Sequence, residues 1–248
     1  METNLPKTTK ILSALFRADL ITQWRNHRSV VMVLAVPIVI LVTWKGLITQ
    51  LGGPFVLSTC ITIGLISIGL MGYSNSVARD REKGVFQRLR VGPAPSWCIM
   101  ASRLLVQLVM IMGLTLMVFI VGYQYDKISL TAVGYILTFF SAIIGGAVYL
   151  SMGQVIVGRI NNPESVNSTT RLVYFLFVMV GMVGSFIKND KIKQIVNYSP
   201  YGAVKAILAA SMQPATWSNT TSIYLLLVLG YAAIFSILGI KWFKWNKI

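Results

Sequence analysis

The chain has 248 residues and a formal net charge of +15, yet only 12% of its residues are charged and 55% are hydrophobic. A soluble domain is usually about 25% charged, so this chain has too few charged groups to cover a water-facing surface. The mean hydropathy of +0.70 agrees, and together these values argue against a soluble enzyme.

Uncharged stretches long enough to cross a membrane follow one another along the chain. Six runs hold 16 or more residues without a charge: 29–44, 46–78, 104–125, 128–158, 172–187 and 206–240. A hydrocarbon core about 30 Å thick needs about 20 helical residues to cross, so each run can supply one span. The sequence therefore predicts an all-α, polytopic membrane protein with six transmembrane helices.

Residues 10–27 predict an amphipathic helix ahead of the first span. Ile11, Leu15 and Ala18 share one face of it, whereas Lys10 and Arg17 lie opposite. A helix with one apolar and one basic face suits the headgroup region of a membrane, so we predict an N-terminal interfacial helix. The alternative is an ordinary extension of the first span.

A single transmembrane domain, residues 1–248, is predicted, with spans at about 29–48, 55–77, 104–123, 132–157, 172–187 and 222–240. Pro37 is expected to kink the first span. Because small residues permit close helix contact, Gly64, Gly69 and Gly72 of the second span are expected at a contact between helices or subunits. Residues 159–170 are expected to form a polar loop.

The last uncharged run is too long for one span. Pro214 interrupts it, and Lys191, Lys193 and Lys205 alternate with apolar residues shortly before that proline. This alternation is typical of a shallow or re-entrant segment rather than a full crossing. Residues 189–216 are therefore predicted to form a short external re-entrant segment before the last span.

The basic residues are unevenly distributed between the two predicted sides. With the N-terminus inside, 16 of the 22 Lys and Arg residues fall on cytoplasmic segments. The positive-inside rule then predicts a multi-pass protein of the cell (plasma) membrane with both termini cytoplasmic. The same rule explains the net charge without a nucleic-acid partner.

Groups that could support catalysis or ion coupling are scarce. None of the seven Asp and Glu residues lies deep in a predicted span, although ion-coupled transporters usually carry such residues. No phosphate-binding loop of the Gly-x-x-x-x-Gly-Lys-Ser/Thr type occurs, and Cys60, Cys98 and His27 do not suggest a zinc site. We therefore expect no catalytic, cofactor-binding or metal-binding residue, and expect any uphill transport to draw its energy from another chain.

The predicted loop 79–97 is the most informative stretch. It suggests a short charged helix with Val85, Phe86 and Leu89 as apolar anchors, ended by Gly92 and Pro93. Such a helix could dock into a groove on a cytoplasmic partner. The alternative is that positive-inside charges have simply accumulated there.

This loop resembles the signature of the ABC-2 family of ABC-transporter permeases, in which alternating acids precede a Gly, a Glu-x-Leu and then a Pro. The matching residues are Asp80, Glu82, Gly84, Leu89 and Pro93. Gln87 stands where an acid is usual and Gly92 where Thr is common. A second stretch, 197–207, is similar to the family's Pro-centred segment before the last span.

The resemblance implies the membrane-spanning permease subunit of an ABC exporter, with no ATPase motif of its own. Two permease subunits, identical or different, would form the pathway, and a separate nucleotide-binding ATPase would bind ATP and Mg. The loop would be a coupling helix and residues 10–27 a second ATPase contact. The implied coupling interface comprises Asp80, Glu82, Gly84, Val85, Phe86, Arg88, Leu89 and Pro93, and the implied external gate comprises Tyr198, Pro200 and Tyr201.

The implied cargo is hydrophobic or amphipathic: a drug, an antibiotic, a peptide or a lipid. One alternative is an ATPase-independent ion-coupled carrier or channel, and another is a non-transporting membrane anchor for a cytoplasmic complex.

Overall fold

The computed structural model describes residues 8–91, 95–186 and 189–243, which are helical almost throughout and contain no β-strand. This confirms the all-α prediction for that part of the chain. The helices are α1 (Thr8–Arg25), α2 (His27–Thr43), α3 (Lys45–Leu51), α4 (Gly53–Ile66), α5 (Ser74–Glu82), α6 (Val85–Val91), α7 (Ser96–Asp126), α8 (Ala132–Arg159), α9 (Pro163–Phe186), α10 (Asp190–Tyr198), α11 (Pro200–Met212) and α12 (Asn219–Trp242). A π-helical segment, Ser67–Tyr73, joins α4 to α5, and a short 3-10 turn, Pro214–Thr216, precedes α12.

Five helical stretches in the described residues are long and apolar enough to cross a membrane. They are Gly53–Glu82, Trp97–Asp126, Ala132–Arg159, Pro163–Gly184 and Asn219–Trp242. A sixth candidate combines Val33–Thr43 with Lys45–Leu51, two helices that meet at an angle of 67°. The multi-span prediction is thus confirmed with five to six candidate spans.

The break in the first candidate span lies at Trp44 rather than at Pro37. Helix α2 continues through Pro37, because a membrane helix tolerates the loss of the single backbone hydrogen bond that proline cannot make. The chain changes direction at Trp44 without losing the backbone hydrogen bonds of this residue. Trp44 N–H donates to the Ile40 carbonyl at 2.9 Å, and Leu47 N–H donates to the Trp44 carbonyl at 2.8 Å.

The polar loop predicted over 159–170 is wrong for most of its length, because α9 already begins at Pro163. The Asn162 side-chain oxygen accepts from the Glu164 N–H at 2.9 Å. Asn before a helix and Pro at its first position both favour helix initiation. These local signals start α9 in a polar stretch, ahead of the uncharged run 172–187 in which the span was expected to begin.

The stretch Gly53–Glu82 lies at the centre of the bundle, with 89% of its most apolar window buried. A Cβ on Gly69 would lie 2.5 Å from the Tyr149 carbonyl carbon of α8, and one on Gly64 would collide with Leu114 of α7. The close contacts expected at Gly64 and Gly69 are therefore contacts between helices of this chain, whereas a Cβ on Gly72 would meet only ordinary contacts, the nearest at 3.7 Å. The π-helical segment coincides with the Gly69 crossing.

Contacts between helix ends define two opposite ends of the bundle. At one end, Gly158 of α8 packs against Trp242 of α12, and α6 lies there; we call it the α6 end. At the other, Gly134 of α8 packs against Met212 of α11; we call it the α11 end.

Candidate functional site

Helix α6 is separated from α5 by a sharp turn at Gly84. Its φ of +66° is in the left-handed region, which glycine enters without the steric penalty of a Cβ. Gly84 N–H donates to the Arg81 carbonyl at 3.1 Å, and the Arg88 guanidinium donates to the Lys83 carbonyl at 2.7 Å. The turn lets the chain leave the core helix and start α6 at its edge.

The apolar side of α6 is turned toward the bundle. Phe86 is 1% exposed; its ring meets Phe243 edge-on, with 6.1 Å between centroids, and the Arg103 guanidinium lies 4.8 Å from its centroid. Val85 and Leu89 are half-buried. Phe86 and Leu89 therefore pack α6 against its own bundle, and the contact of Val85, Phe86 and Leu89 with a partner stays a prediction.

The opposite side of α6 and the residues just before this helix are polar and exposed. Glu82, Lys83, Gln87 and Arg88 make up this area, which we call the α6 surface. It combines one acidic, two basic and one amide side chain. Pro93 lies outside the described residues.

An ion pair fixes the carboxylate of Asp80 beneath α6. The Arg103 Nη1 of α7 lies 2.5 Å from Asp80 Oδ2, and the arginine side chain is 8% exposed. Because Arg103 also stacks on Phe86, one guanidinium joins α5, α6 and α7. The sequence pattern identified Asp80, but it did not identify Arg103, which comes 23 residues after Asp80 in the chain.

Helix α1 joins this cluster through Asp19. Ser102 Oγ donates to Asp19 Oδ2 at 2.5 Å. Burial raises the pKa of Asp19, although the Ser102 hydrogen bond and the Arg103 charge act in the opposite direction. The predicted interfacial helix therefore also has a specific contact with α7.

Arg81 ties the same turn to the end of α8. The last carbonyls of a helix have no partner within it, and a cation near them is favourable because of the helix dipole. The Arg81 guanidinium donates to the carbonyls of Val157 at 2.8 Å, Ile160 at 2.5 Å and Asn161 at 3.2 Å. With 5% exposure, Arg81 is a buried cap rather than a surface charge.

At the α11 end, the segment predicted over 189–216 forms the helix pair α10–α11. Ser199 begins α11: its Oγ accepts from the Gly202 N–H at 3.2 Å and donates to the Val196 carbonyl at 2.6 Å. Ser before Pro200 is a favourable helix start. The turn lies beside α8 well away from Gly134, since Tyr149 donates to the Pro200 carbonyl at 3.3 Å.

The residues predicted as an external gate surround this turn. Tyr201 is 1% exposed and packs against Gly181 of α9, where an added Cβ would collide with its ring. Tyr198 is 46% exposed; its carbonyl accepts from Tyr231 OH at 2.8 Å. Pro200 is half-buried between them. Contacts thus link α10–α11 to α8, α9 and α12.

Within the described ranges, no group of three or more His, Cys, Asp or Glu side chains is placed to hold a metal ion. Cys60 and Cys98 are both buried and free.

A family model described as "ABC-2 family transporter protein" matches residues 46–241. The match extends from α3 to the last turn of α12 and includes both sequence motifs. None of the curated proteins matches the chain.

Proposed function

Because the chain belongs to the ABC-2 family of transporter proteins, we propose that it is the permease subunit of an ATP-driven exporter. It is a multi-pass membrane protein of a family that generally supplies the membrane-spanning component and associates with an ABC ATPase. In this proposal two permease subunits form the pathway, and the ATPase binds ATP and Mg and supplies the energy.

The observation that carries the proposal is the construction of α6. The helix is held to the bundle by buried Phe86, while Glu82, Lys83, Gln87 and Arg88 face outward. A short helix with a firmly packed inner side and an exposed polar outer side suits a contact that must transmit force. Here α6 is the coupling helix and the α6 surface is its contact with the ATPase.

The contacts beneath α6 give a route for that force. Phe86 touches Arg103 of α7 and Phe243 just after α12, and Arg81, at the other side of the turn, holds the end of α8. A shift of α6 therefore displaces the ends of three candidate spans together. ATP-driven movement of the partner would bias the bundle between two arrangements, as a population shift, and needs no catalytic residue in this chain.

In the proposed orientation, the α6 end and both termini are cytoplasmic. The concentration of basic residues on segments of that end supports it. Helix α1 then lies at the inner headgroup layer and provides the second contact with the ATPase. The proposed location is the cell (plasma) membrane.

At the outer side, α10–α11 is proposed to enter the membrane and return, and to close the external end of the pathway. Tyr198, Pro200 and Tyr201 are its gate residues. Their packing against α8, α9 and α12 supports a gate that moves with the spans. The cargo is proposed to be hydrophobic or amphipathic, in keeping with apolar helices that hold few charges.

The test is charge reversal on the α6 surface. Arg88→Glu and Glu82→Arg, made in the tagged full chain and isolated from native membranes, should each lose most of the co-purifying ABC ATPase and its ATP hydrolysis. Lys191→Glu is the matched control, because Lys191 is exposed on α10 at the other end of the bundle. Equal amounts of ATPase with all three variants would contradict the coupling assignment.

Two further outcomes would replace the proposal. Solute flux in liposomes that contain this chain alone would indicate a carrier or channel. An associated partner without substrate-dependent ATP hydrolysis would indicate a membrane anchor.

A further inference from the structure

A lateral groove runs along the α6-end half of the bundle, between α7 and α12, with α8 as its floor. Its volume is about 710 Å³, within the range of about 300–1,000 Å³ for ligand sites. Its lining is mainly apolar and includes the aliphatic side chains of Leu104, Leu108, Ile143, Ala147, Leu150 and Ile240. Neither the external gate nor the α6 surface contributes to it.

The length of the groove corresponds to one leaflet. It extends from Trp97 to Leu108 on α7 and from Gln154 to Ile143 on α8, which at the helical rise of 1.5 Å per residue is about 16 Å on either helix. Half of a hydrocarbon core is about 15 Å. The groove thus begins near one membrane surface and ends near the midplane.

The groove opens sideways toward the membrane. Leu104 is 40% exposed and Ile240 is 76% exposed, and Ala147 on the floor is exposed as well. An apolar channel that faces the hydrocarbon region and has this length matches an acyl chain that lies parallel to the spans.

Polar groups occur only toward the α6 end of the described lining. Tyr73 OH donates to Gln154 Oε1 at 2.5 Å, and the Gln154 Nε2 donates to none of the residues that the structure describes. Gln154 and Ser236 each lie about 8 Å from the charged end of their helix, at the usual rise per residue. This distance is on the order of the thickness of the headgroup layer. Gln154 and Ser236 therefore lie at the depth where the ester groups of phospholipids are found.

The mouth carries residues suited to a headgroup. Trp97 lines it and is 59% exposed, in keeping with the preference of Trp for membrane interfaces. Lys241 is the residue after Ile240 and is exposed, so its long side chain carries a positive charge close to the lining.

We propose that the groove binds one phospholipid from the leaflet at the α6 end. One acyl chain lies between α7 and α12, an ester carbonyl accepts from Gln154, and the phosphate lies near Lys241. The site lies apart from the α6 surface, so its occupation does not depend on an ATPase or on which side is cytoplasmic.

The test uses the full chain in phosphatidylglycerol vesicles that contain a phosphatidylglycerol with a diazirine halfway along one acyl chain. After illumination, mass spectrometry of peptides should find adducts concentrated on Leu104, Leu108 and Ile143 rather than on the exposed apolar face of α9. Ala147→Phe should lower these adducts about tenfold, because its ring takes the place of the chain.

Ala233→Phe is the matched control, since Ala233 is also exposed but does not line the groove, and it should label like the unchanged protein. Ala101→Phe, also in the lining, replaces Ala147→Phe if that variant does not fold. Equal labelling of the groove and α9, or equal loss in both variants, would leave only bulk lipid and overturn the proposal. Absence of groove adducts would overturn it as well. Because the ATPase takes no part, this result is independent of the co-purification test.

Discussion

The two ends of the bundle are held together by different kinds of contact. At the α6 end, charged side chains make directional contacts: Arg103 pairs with Asp80, and Arg81 caps α8. At the α11 end and along the α10–α11 pair that leads away from it, backbones approach each other closely at glycines: Gly134 meets the Met212 carbonyl, and Gly202 meets the last turn of α10. Even the Lys205 cation there lies over an aromatic ring, 3.5 Å from the Phe55 centroid.

This difference indicates how each end can change shape. Directional polar contacts can be exchanged one at a time, with water or a neighbouring group as the new partner. Close backbone contacts have no substitute, since added volume separates the helices. We therefore expect the α11 end and the α10–α11 pair to be sensitive to added atoms, and the α6 end to be sensitive to lost hydrogen bonds.

The largest effect is expected from Gly202→Ala. Its Cβ would lie 2.5 Å from Asn197 Cα and closer still to the Val196 carbonyl oxygen, so α10 and α11 must separate. We expect a loss of about 3 kcal/mol or more in the free energy of unfolding, measured as a lower temperature of thermal unfolding in detergent.

Gly230→Ala is the control for that substitution, because, apart from its own helix backbone, no atom of the described residues lies within 4 Å of its added Cβ. It should be neutral or slightly stabilising, since Ala favours helix by up to about 1 kcal/mol over Gly. If both glycine variants unfolded at the same temperature, the close approach of α10 and α11 would be contradicted.

The next largest effect is expected from Arg81→Met. Loss of the guanidinium leaves three carbonyls at the end of α8 without their donor, which should cost about 2–3 kcal/mol. The same thermal unfolding measurement tests it. Arg79→Met is the control: Arg79 is exposed, and within the described residues its side chain makes one hydrogen bond, to the Asn75 carbonyl, so a change within about 0.5 kcal/mol is expected. Equal destabilisation by the two variants would refute the capping role.

The smallest effect is expected from Asp19→Asn, and it should depend on pH. Since burial raises the pKa of Asp19, the stability that it contributes is present below the ordinary carboxyl pKa and is lost as the pH rises through the raised value. From about pH 4 to neutral pH, the unchanged protein should therefore lose stability relative to the variant. The difference should stay below about 1 kcal/mol, because the site is partly solvated.

Unfolding temperatures across that pH range provide the measurement for Asp19→Asn. A pH profile of Asp19→Asn parallel to that of the unchanged protein would contradict the effect of partial burial on this carboxyl.

The helical class and the succession of apolar helices were predictable from the sequence, because charge-free runs have a direct physical meaning in a membrane. The family was also predictable from the spacing around Asp80 and Gly84. The bend at Trp44 was not, since proline is the usual signal for a kink and Pro37 lies inside a continuous helix. The polar start of α9 was missed because hydropathy measures insertion rather than helix formation.

The side-chain partners within the candidate site were beyond sequence reasoning. Asp80 and Arg103 are far apart in the chain, and positive-inside charge made Arg103 look like one of many basic residues. The direction of Phe86 was equally hidden, because an apolar residue on a short helix packs as readily on its own protein as on a partner. Whether α6 and Tyr198, Pro200 and Tyr201 serve as coupling helix and gate stays a prediction.

The π-helical segment Ser67–Tyr73 affects how the side chains that follow it are oriented around the helix axis. Each residue of an α-helix advances the side-chain direction by about 100°. The wider turn between α4 and α5 therefore sets the direction in which the side chains of α5 point around the helix axis. Deleting one residue there would rotate Asp80 and Arg81 by about 100°, away from Arg103 and from the end of α8. The angular alignment of the whole α6 end is thus set at the middle of the most buried helix.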